Sequence, residues 1–280
     1  MAVRIPDPAQ PPLAGSLRWF AWLFAAPATR PLLAFAFALE QQLHATAEAR
    51  VDHQVSHLKL QWWREEIGRL EQGKPRHPLT QAGRSAAPAA GSGWRPVQDL
   101  LSSLELDLAS TTYESETELD RYLDLADGLQ RMIAAVLVPS DARAERFAGA
   151  TGKAVRVIEI IRDLRQDAVR GRIYLPLDWL DAERIDHKEL GSESVGPGAR
   201  RCLARLAEKA REQSRRATRE LEDCSAADLR AQNVLLGLHL ELLDRIERLQ
   251  FEVGRGQLEL GRMRSLWTTW RVARQHPGTP

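Results

Sequence analysis

The apolar residues of this 280-residue chain recur at roughly helical steps along most of its length. Between residues 53 and 70, for example, this spacing places them on one face of a helix. No stretch alternates between apolar and polar residues for more than a few positions, as a half-buried strand would. The sequence therefore predicts an all-α protein without a β-sheet.

Turn and capping residues divide the rest of the chain into further helices. Ser115 or Thr117 is a candidate N-cap for one of them, which Pro139 ends, and Ser225 is a candidate N-cap for another. Two loops, at 83–93 and 191–198, are short and bring no change of composition, so one domain spanning 16–275 is predicted after a flexible segment 1–15. The predicted helices are 94–109, 118–138, 143–170, 199–221, 226–251 and 257–274.

Composition narrows the class of protein. Hydrophobic residues make up 44% of the chain, which suits a substantial core, and a formal net charge of +1 gives no sign of a nucleic-acid partner. The two cysteines, Cys202 and Cys224, have no metal-ligand spacing. The apolar stretch 17–43 is interrupted by arginines and prolines, and the N-terminus lacks the pattern of a signal peptide. The expected location is cytoplasmic, with peripheral membrane contact left open.

Two segments are candidates for such contact. Trp19 and Trp22, with Phe20 and Phe24, predict either a membrane-facing or partner-facing patch or ordinary helix packing. The arginines between residues 255 and 274 predict either a contact with acidic lipid head groups or a solvated helix face.

Charged residues form a narrow stripe along the predicted helix 143–170, opposite its apolar side. Asp163 and Asp167 in this stripe are four residues apart, so their carboxylates are neighbours. Such a pair suits Mg²⁺, which commonly takes one or two carboxylates plus substrate phosphates. The alternative is a solvated face with ordinary ion pairs. The full stripe is Arg156, Glu159, Asp163, Asp167 and Arg170.

This segment resembles the second aspartate motif of the squalene/phytoene synthase family. The family motif runs Asn-x-x-Arg-Asp-x-x-Glu-Asp and is followed by Arg-Gly-Arg-(Ile/Val)-Tyr-Leu-Pro. The chain is similar at both parts and, more weakly, over nearly its whole length. The corresponding residues here are Glu159, Arg162, Asp163, Gln166 and Asp167, followed by Arg170-Gly171-Arg172-Ile173-Tyr174-Leu175-Pro176.

The resemblance implies an isoprenoid synthase-type helical bundle with a central cavity. Family enzymes join two prenyl diphosphates, and metal ions held between two acidic walls stabilise the departing diphosphate. It implies that Asp163 and Asp167 are the candidate ligands for metal or diphosphate. The other polar residues that it places in the cavity are Arg156, Glu159, Arg162, Gln166, Arg170, Arg172 and Tyr174.

The chain departs from the family at the other acidic wall. There the family has an Ala-Phe-Cys-Arg run leading into Asp-Asp-x-x-Asp, whereas residues 36–46 read AFALEQQLHAT. The family arginine falls on Leu39, and its aspartates fall on Gln42, Leu43 and Thr46. The first metal motif is therefore lost, and an arginine beside the remaining carboxylates is expected to replace the metal as their charge partner.

Two functional hypotheses follow. The first is a non-catalytic member of the family that acts in assembly or binding, with an unknown protein partner and a prenyl diphosphate or lipid-like ligand. The run Ala36-Phe37-Ala38-Leu39-Glu40 is similar to the eroded motif of the family's complex I assembly factor branch. The second is a Mg²⁺-dependent prenyltransferase serving hopanoid or carotenoid synthesis. Glu40 or Glu48 opposite Asp163 favours the second hypothesis, and Arg156 in that space favours the first.

Overall fold

The structure, a computed structural model, describes residues 11–47, 53–84, 86, 94–222, 229–256 and 258–275. These residues form twelve α-helices and one short 3-10 helix (His187–Gly191) and contain no β-strand, which confirms the predicted all-α class. The α-helices are α1 (Leu17–Leu23), α2 (Arg30–Ala47), α3 (His53–Glu71), α4 (Pro78–Gly83), α5 (Arg95–Leu108), α6 (Glu116–Ala126), α7 (Gly128–Leu137), α8 (Ala142–Val169), α9 (Leu177–Glu183), α10 (Pro197–Glu222), α11 (Arg230–Arg248) and α12 (Arg262–Gln275).

Helix α8, 28 residues long, lies at the centre of the bundle. It packs against α6, α7, α10 and α11, so it is covered on more than one side. Its apolar face is buried, as the periodicity predicts, but the charged stripe also faces inward. The side chains of Arg156 and Glu159 are only 16% and 13% exposed. The alternative of a solvated helix face is therefore wrong for this part of the stripe.

Helices α1 and α2 close one side of the bundle. Helix α2 packs against α3, α4, α5 and α7, and α1 packs against α2, α11 and α12. Phe20 is buried, and Trp19 and Trp22 pack on the hydrophobic core. The aromatic residues of α1 thus serve helix packing, and their predicted membrane-facing patch is not an exposed surface.

The single helix predicted for residues 118–138 is wrong, because the chain breaks at Asp127 into α6 and α7. At the break the backbone of Gly128 comes so close to α5 that a Cβ atom there would lie 1.9 Å from the carbonyl oxygen of Pro96. Asp127 is 3% exposed, and its carboxylate accepts a hydrogen bond from Arg131 at 2.5 Å. Tertiary packing, which local periodicity does not report, decides this break.

Other boundaries also differ from the prediction. Helix α11 ends at Arg248 and α12 begins only at Arg262, so both are shorter than their apolar patterns suggested. The proposed N-cap Ser225, most of the loop 83–93, Glu48 and residues 1–10 lie outside the described residues. The flexible segment 1–15 and the boundaries of the domain 16–275 stay predictions. Within the described part of the chain, no helix has the length and apolarity needed to cross a bilayer.

Replacing Gly128 with alanine should destabilise the protein by about 2 kcal/mol, because the new methyl group forces α7 away from the Pro96 carbonyl. Urea unfolding followed by circular dichroism measures this change. Gly68 in α3 is the matched control, since nothing lies within 4 Å of a Cβ atom built there. Gly68→Ala should instead stabilise by about 0.5 kcal/mol through helix propensity. Equal effects of the two substitutions would contradict the close approach at Gly128.

Candidate ligand site

The face of α2 that looks toward α8 presents Glu40 and His44, which are four residues apart. The positions to which the sequence resemblance assigns the family's first motif lie elsewhere on this helix. Leu39 and Leu43 are fully buried in the hydrophobic core, and Gln42 is buried. The hydroxyl of Thr46 donates to the backbone oxygen of Gln42 at 2.9 Å. These positions therefore serve packing, and Glu40 is the one carboxylate that α2 directs toward α8.

Arg18 of α1 joins Glu40 to the charged stripe of α8. Its Nε donates to Glu40 at 2.6 Å, and its two terminal nitrogens lie 3.3 and 3.4 Å from Glu159 Oε1. Burial opposes the charge of Glu159, but the attraction of Arg18 holds the pKa of this carboxyl well below its usual range. His239 Nε2 lies 3.7 Å from the same oxygen. The two facing carboxylates thus share one guanidinium of the chain itself as their cation.

A small cavity, here called the central cavity, lies between the helices beside Arg18 and its two carboxylates. The space between α2, α5, α6, α7 and α8 has a volume of about 20 Å³, which holds one water molecule. None of the eight tryptophans, all of which are described, lines it. Its polar lining consists of Glu40, His44, Ser103, Tyr122, Gln130, Arg156 and Glu159.

Arg156 occupies the space beside this cavity, stacked between two tyrosines. Its guanidinium donates to the hydroxyl of Tyr122 at 2.5 and 2.9 Å and to that of Tyr174 at 2.8 Å. Both hydroxyls donate in turn to Asp107, whose carboxylate lies 3.5 Å from Arg156. The guanidinium carbon is 5.5 Å from the ring centre of Tyr122 and 4.9 Å from that of Tyr174. This closed network fixes Arg156 in one orientation.

Asp163 and Asp167 line a second, larger pocket of about 280 Å³ at the C-terminal end of the stripe. Arg162 binds Asp163 through two parallel hydrogen bonds of 2.8 and 2.5 Å. Burial raises the pKa of Asp167 to about 6, against the attraction of Arg156, and Asp163 adds to the rise. The pocket, here called the arginine pocket, is lined by His44, Asp107, Arg156, Arg162, Asp163, Gln166, Asp167, Arg170 and Arg172.

Arg172 and Tyr174 show what the RGRIYLP run does in the fold. Arg172 donates to the backbone oxygens of Asp107 and Ala47, at 3.1 and 2.9 Å, and so ties the run to the ends of α5 and α2. Tyr174 is buried and donates to Asp107 at 2.6 Å. Part of this motif therefore holds helices together around the arginine pocket.

The residues present do not fit a cluster of divalent cations. Among the described residues, no group of three or more histidine, cysteine, aspartate or glutamate side chains is placed to hold a metal ion. Glu159 is bound by Arg18 and Asp163 by Arg162, and Arg156 stands beside Asp167. Arginine side chains thus occupy the space beside these carboxylates in which a bound metal ion would have to lie.

Sequence reasoning missed Arg18, His44 and His239. The spacing of Glu40 and His44, four residues apart on one helix face, is a signal that could have identified His44. Arg18 carries no such local signal, because the partners that it bridges are 22 and 141 residues away.

The bundle, with its central α8 and its inward charged stripe, defines an isoprenoid synthase-type helical protein. The chain belongs to the squalene/phytoene synthase family, whose sequence profile matches residues 16–265. A phytoene synthase from Thermus thermophilus is 35% identical over 105 residues, which are 38% of this chain and 36% of that protein. The chloroplastic phytoene synthase of Narcissus pseudonarcissus is 27% identical over 208 residues, which are 70% of this chain and 48% of that protein. The matches thus span less than half of either relative.

Solved structures show the same fold. A dehydrosqualene synthase in complex with ligand superimposes with a TM-score of 0.80 at 16% identity, covering 94% of this chain and 92% of that one. Squalene synthase HpnC from Alicyclobacillus acidocaldarius gives a TM-score of 0.71 at 22% identity, covering 83% and 88% of the two chains. At these identities the likeness concerns the fold alone.

Proposed function

We propose that this chain is a binding or assembly member of its family that no longer joins prenyl diphosphates. The observation that carries the proposal is the position of the Arg18 guanidinium between Glu40 and Glu159. The family's chemistry would need exchangeable metal ions between its two acidic walls. A side chain fixed by two ion pairs supplies charge for structure, but it cannot bind and release a diphosphate leaving group as metal ions do.

The volume of the central cavity supports the same conclusion. Pockets for small molecules measure roughly 300–1,000 Å³, whereas this cavity measures about 20 Å³. Two prenyl chains therefore have no room to meet in this cavity. A member of the family that acts through a protein partner needs the rigid bundle and not the open cavity.

The arginine pocket is suited to a compact anion. Four arginines and His44 face three aspartates in it, and Arg162 already neutralises Asp163. A diphosphate group of a prenyl or other lipid-like ligand fits this size and charge without Mg²⁺, because guanidinium groups bind phosphate oxygens directly. Our proposal therefore includes a diphosphate-bearing ligand, an unidentified protein partner, a cytoplasmic location and peripheral membrane contact.

The second candidate function is Mg²⁺-dependent joining of two prenyl diphosphates for hopanoid or carotenoid synthesis. It is favoured by the presence of Asp163 and Asp167 at the arginine pocket, and by the similarity to phytoene synthases. It requires α2 and α8 to separate, and Arg18 and Arg156 to leave their carboxylates.

The two candidates are separated by incubating purified protein with farnesyl or geranylgeranyl diphosphate and Mg²⁺. We expect no diphosphate release, no squalene-sized or phytoene-sized hydrocarbon, and no change of melting temperature with Mg²⁺ alone. Inorganic diphosphate without metal should raise the melting temperature, and Arg170→Gln with Arg172→Gln should abolish that rise. A hydrocarbon product that disappears in Asp163→Ala would overturn the proposal and establish the prenyltransferase.

A further inference from the structure

Helix α12 reverses the usual arrangement of an amphipathic helix, because small polar side chains face the protein and large apolar side chains face outward. The residues that it directs into the protein are Ser265, Thr268 and Thr269, all fully buried, with Val272. Large apolar side chains point away from the body of the protein instead. They are Met263, Leu266, Trp267 and Trp270, with exposed fractions of 81%, 39%, 60% and 41%. A helix held mainly by a hydrophobic core would show the opposite arrangement.

Polar contacts and close backbone packing hold α12 in place. Arg264 donates to the buried carboxylate of Glu241 on α11 at 2.6 Å, and Thr268 donates to it at 3.5 Å. A Cβ atom on Gly237 would lie 2.7 Å from Val272, so the two helices approach closely there. The outward apolar face is therefore not needed to attach α12, and its residues are left for another contact.

The outward residues form one continuous ridge. At about 100° per residue, Met263, Leu266, Trp267 and Trp270 fall within one arc, directly opposite the buried residues. The rings of Trp267 and Trp270 are stacked with their centres 5.2 Å apart, and the Arg274 guanidinium lies 4.3 Å from the ring centre of Trp270. Clustered exposed aromatic residues of this size mark an interaction surface.

The charge around the ridge is strongly positive. Helix α12 contains four arginines and no acidic residue. The carboxylate of Glu241 pairs with Arg264 and Arg271 of α12 and with Arg248 of α11. Glu241 and these three arginines together have a net charge of +2. No carboxylate of the described residues lies within 4 Å of Arg262 or Arg274. The complementary surface must therefore be negatively charged as well as able to accept apolar side chains.

We propose that α12 is an interfacial helix that lies in the plane of an anionic phospholipid surface. Tryptophan is favoured at the depth of lipid head groups, where its ring is apolar and its N–H can reach water or phosphate. Met263 and Leu266 enter the acyl boundary beside the tryptophans, while the flanking arginines bind lipid phosphates. A single convex ridge of this kind fits a deformable lipid surface, because it offers no groove in which a protein side chain would be enclosed. The inference rests on the peripheral membrane contact included in the proposed function. It concerns neither the arginine pocket nor the central cavity, so vesicle binding can fail while the outcome of the diphosphate and Mg²⁺ experiments is unchanged.

The test is sedimentation of the full-length protein with vesicles of phosphatidylcholine alone or of equal parts phosphatidylcholine and phosphatidylglycerol. We expect binding to the anionic vesicles only, with a blue shift of tryptophan fluorescence. Trp267→Ala with Trp270→Ala should weaken binding at least about tenfold, and Arg262→Gln with Arg274→Gln should do the same. Trp62→Ala is the matched control, since Trp62 on α3 is 40% exposed, and it should leave binding unchanged.

Circular dichroism and the melting temperature check that each variant is folded. We expect all of them to fold, because the substituted side chains are exposed. Equal binding to neutral and anionic vesicles, or no effect of the tryptophan pair, would overturn the proposal. The proposal would also be overturned if vesicles bound no protein and sedimentation velocity showed a dimer that Trp267→Ala with Trp270→Ala dissociates. The ridge would then be a contact between two copies of the chain.

Discussion

Replacing Arg18 with methionine is expected to destabilise the protein by about 3 kcal/mol at pH 7, the lower end of the range for breaking a buried ion pair because Arg18 is partly exposed. The substitution keeps much of the side-chain volume but leaves Glu40 and Glu159 facing each other without a cation. Urea denaturation at several pH values measures the loss. A further Glu40→Gln and Glu159→Gln in the same chain should recover most of it, because no unpaired charge then remains.

The loss should depend on pH in a defined direction. Arg18 holds the pKa of Glu159 below its usual range in the folded protein, so the stabilisation is full above the unfolded pKa, near 4.5. It is lost as the pH falls through the folded pKa. The difference between wild type and Arg18→Met should therefore shrink as the pH is lowered below about 4.5. A difference that is constant over this range would mean that Arg18 acts through packing and not through its charge.

Magnesium supplies a second check on the role of Arg18. In the wild-type protein the guanidinium occupies the place between the two carboxylates, so Mg²⁺ should leave the melting temperature unchanged. In Arg18→Met the free pair of carboxylates can bind the cation, and millimolar Mg²⁺ should raise the melting temperature. Stabilisation of the wild type by Mg²⁺ would show that metal and Arg18 do not compete.

Replacing Arg156 with methionine should cost about 4 kcal/mol, the middle of the range for a buried pair, because Asp107 is almost inaccessible. The variant removes the donor to both tyrosine hydroxyls and the cation beside Asp107 and Asp167. Arg156→Gln should cost less, since its amide can still donate to one hydroxyl. Urea unfolding of both variants, with unchanged helical circular dichroism at low denaturant, gives the comparison.

A double-mutant cycle with Asp107→Asn shows whether the two charges act together. The cost of the double variant should fall short of the sum of the single costs by at least about 1 kcal/mol, because either single change leaves the other charge buried and unpaired. Simple additivity would place Arg156 outside the Asp107 network and would weaken the view that it is a structural cation.

Local patterns in the sequence were sufficient for the helices and for the family. Helical periodicity and the RGRIYLP run depend on residues close together in the chain, so the all-α class and the inward apolar face of α8 could be read from them. The absence of aspartate from α2 was equally visible. The break at Asp127 was not, because it depends on the approach of Gly128 to the carbonyl of Pro96, on another helix.

In the candidate site, too, some features follow from local sequence patterns and others only from tertiary packing. The sequence by itself determined that α2 carries no aspartate and that Arg156, Asp163 and Asp167 share one stripe of a helix, because these are matters of composition and of helical spacing. Only the tertiary structure decided what neutralises that stripe. It brings Arg18 between Glu40 and Glu159 across 141 residues of chain, and it fills the central cavity until room for about one water remains. Ion pairs and cavity volume depend on how whole helices pack in space, and no local spacing in the sequence encodes that.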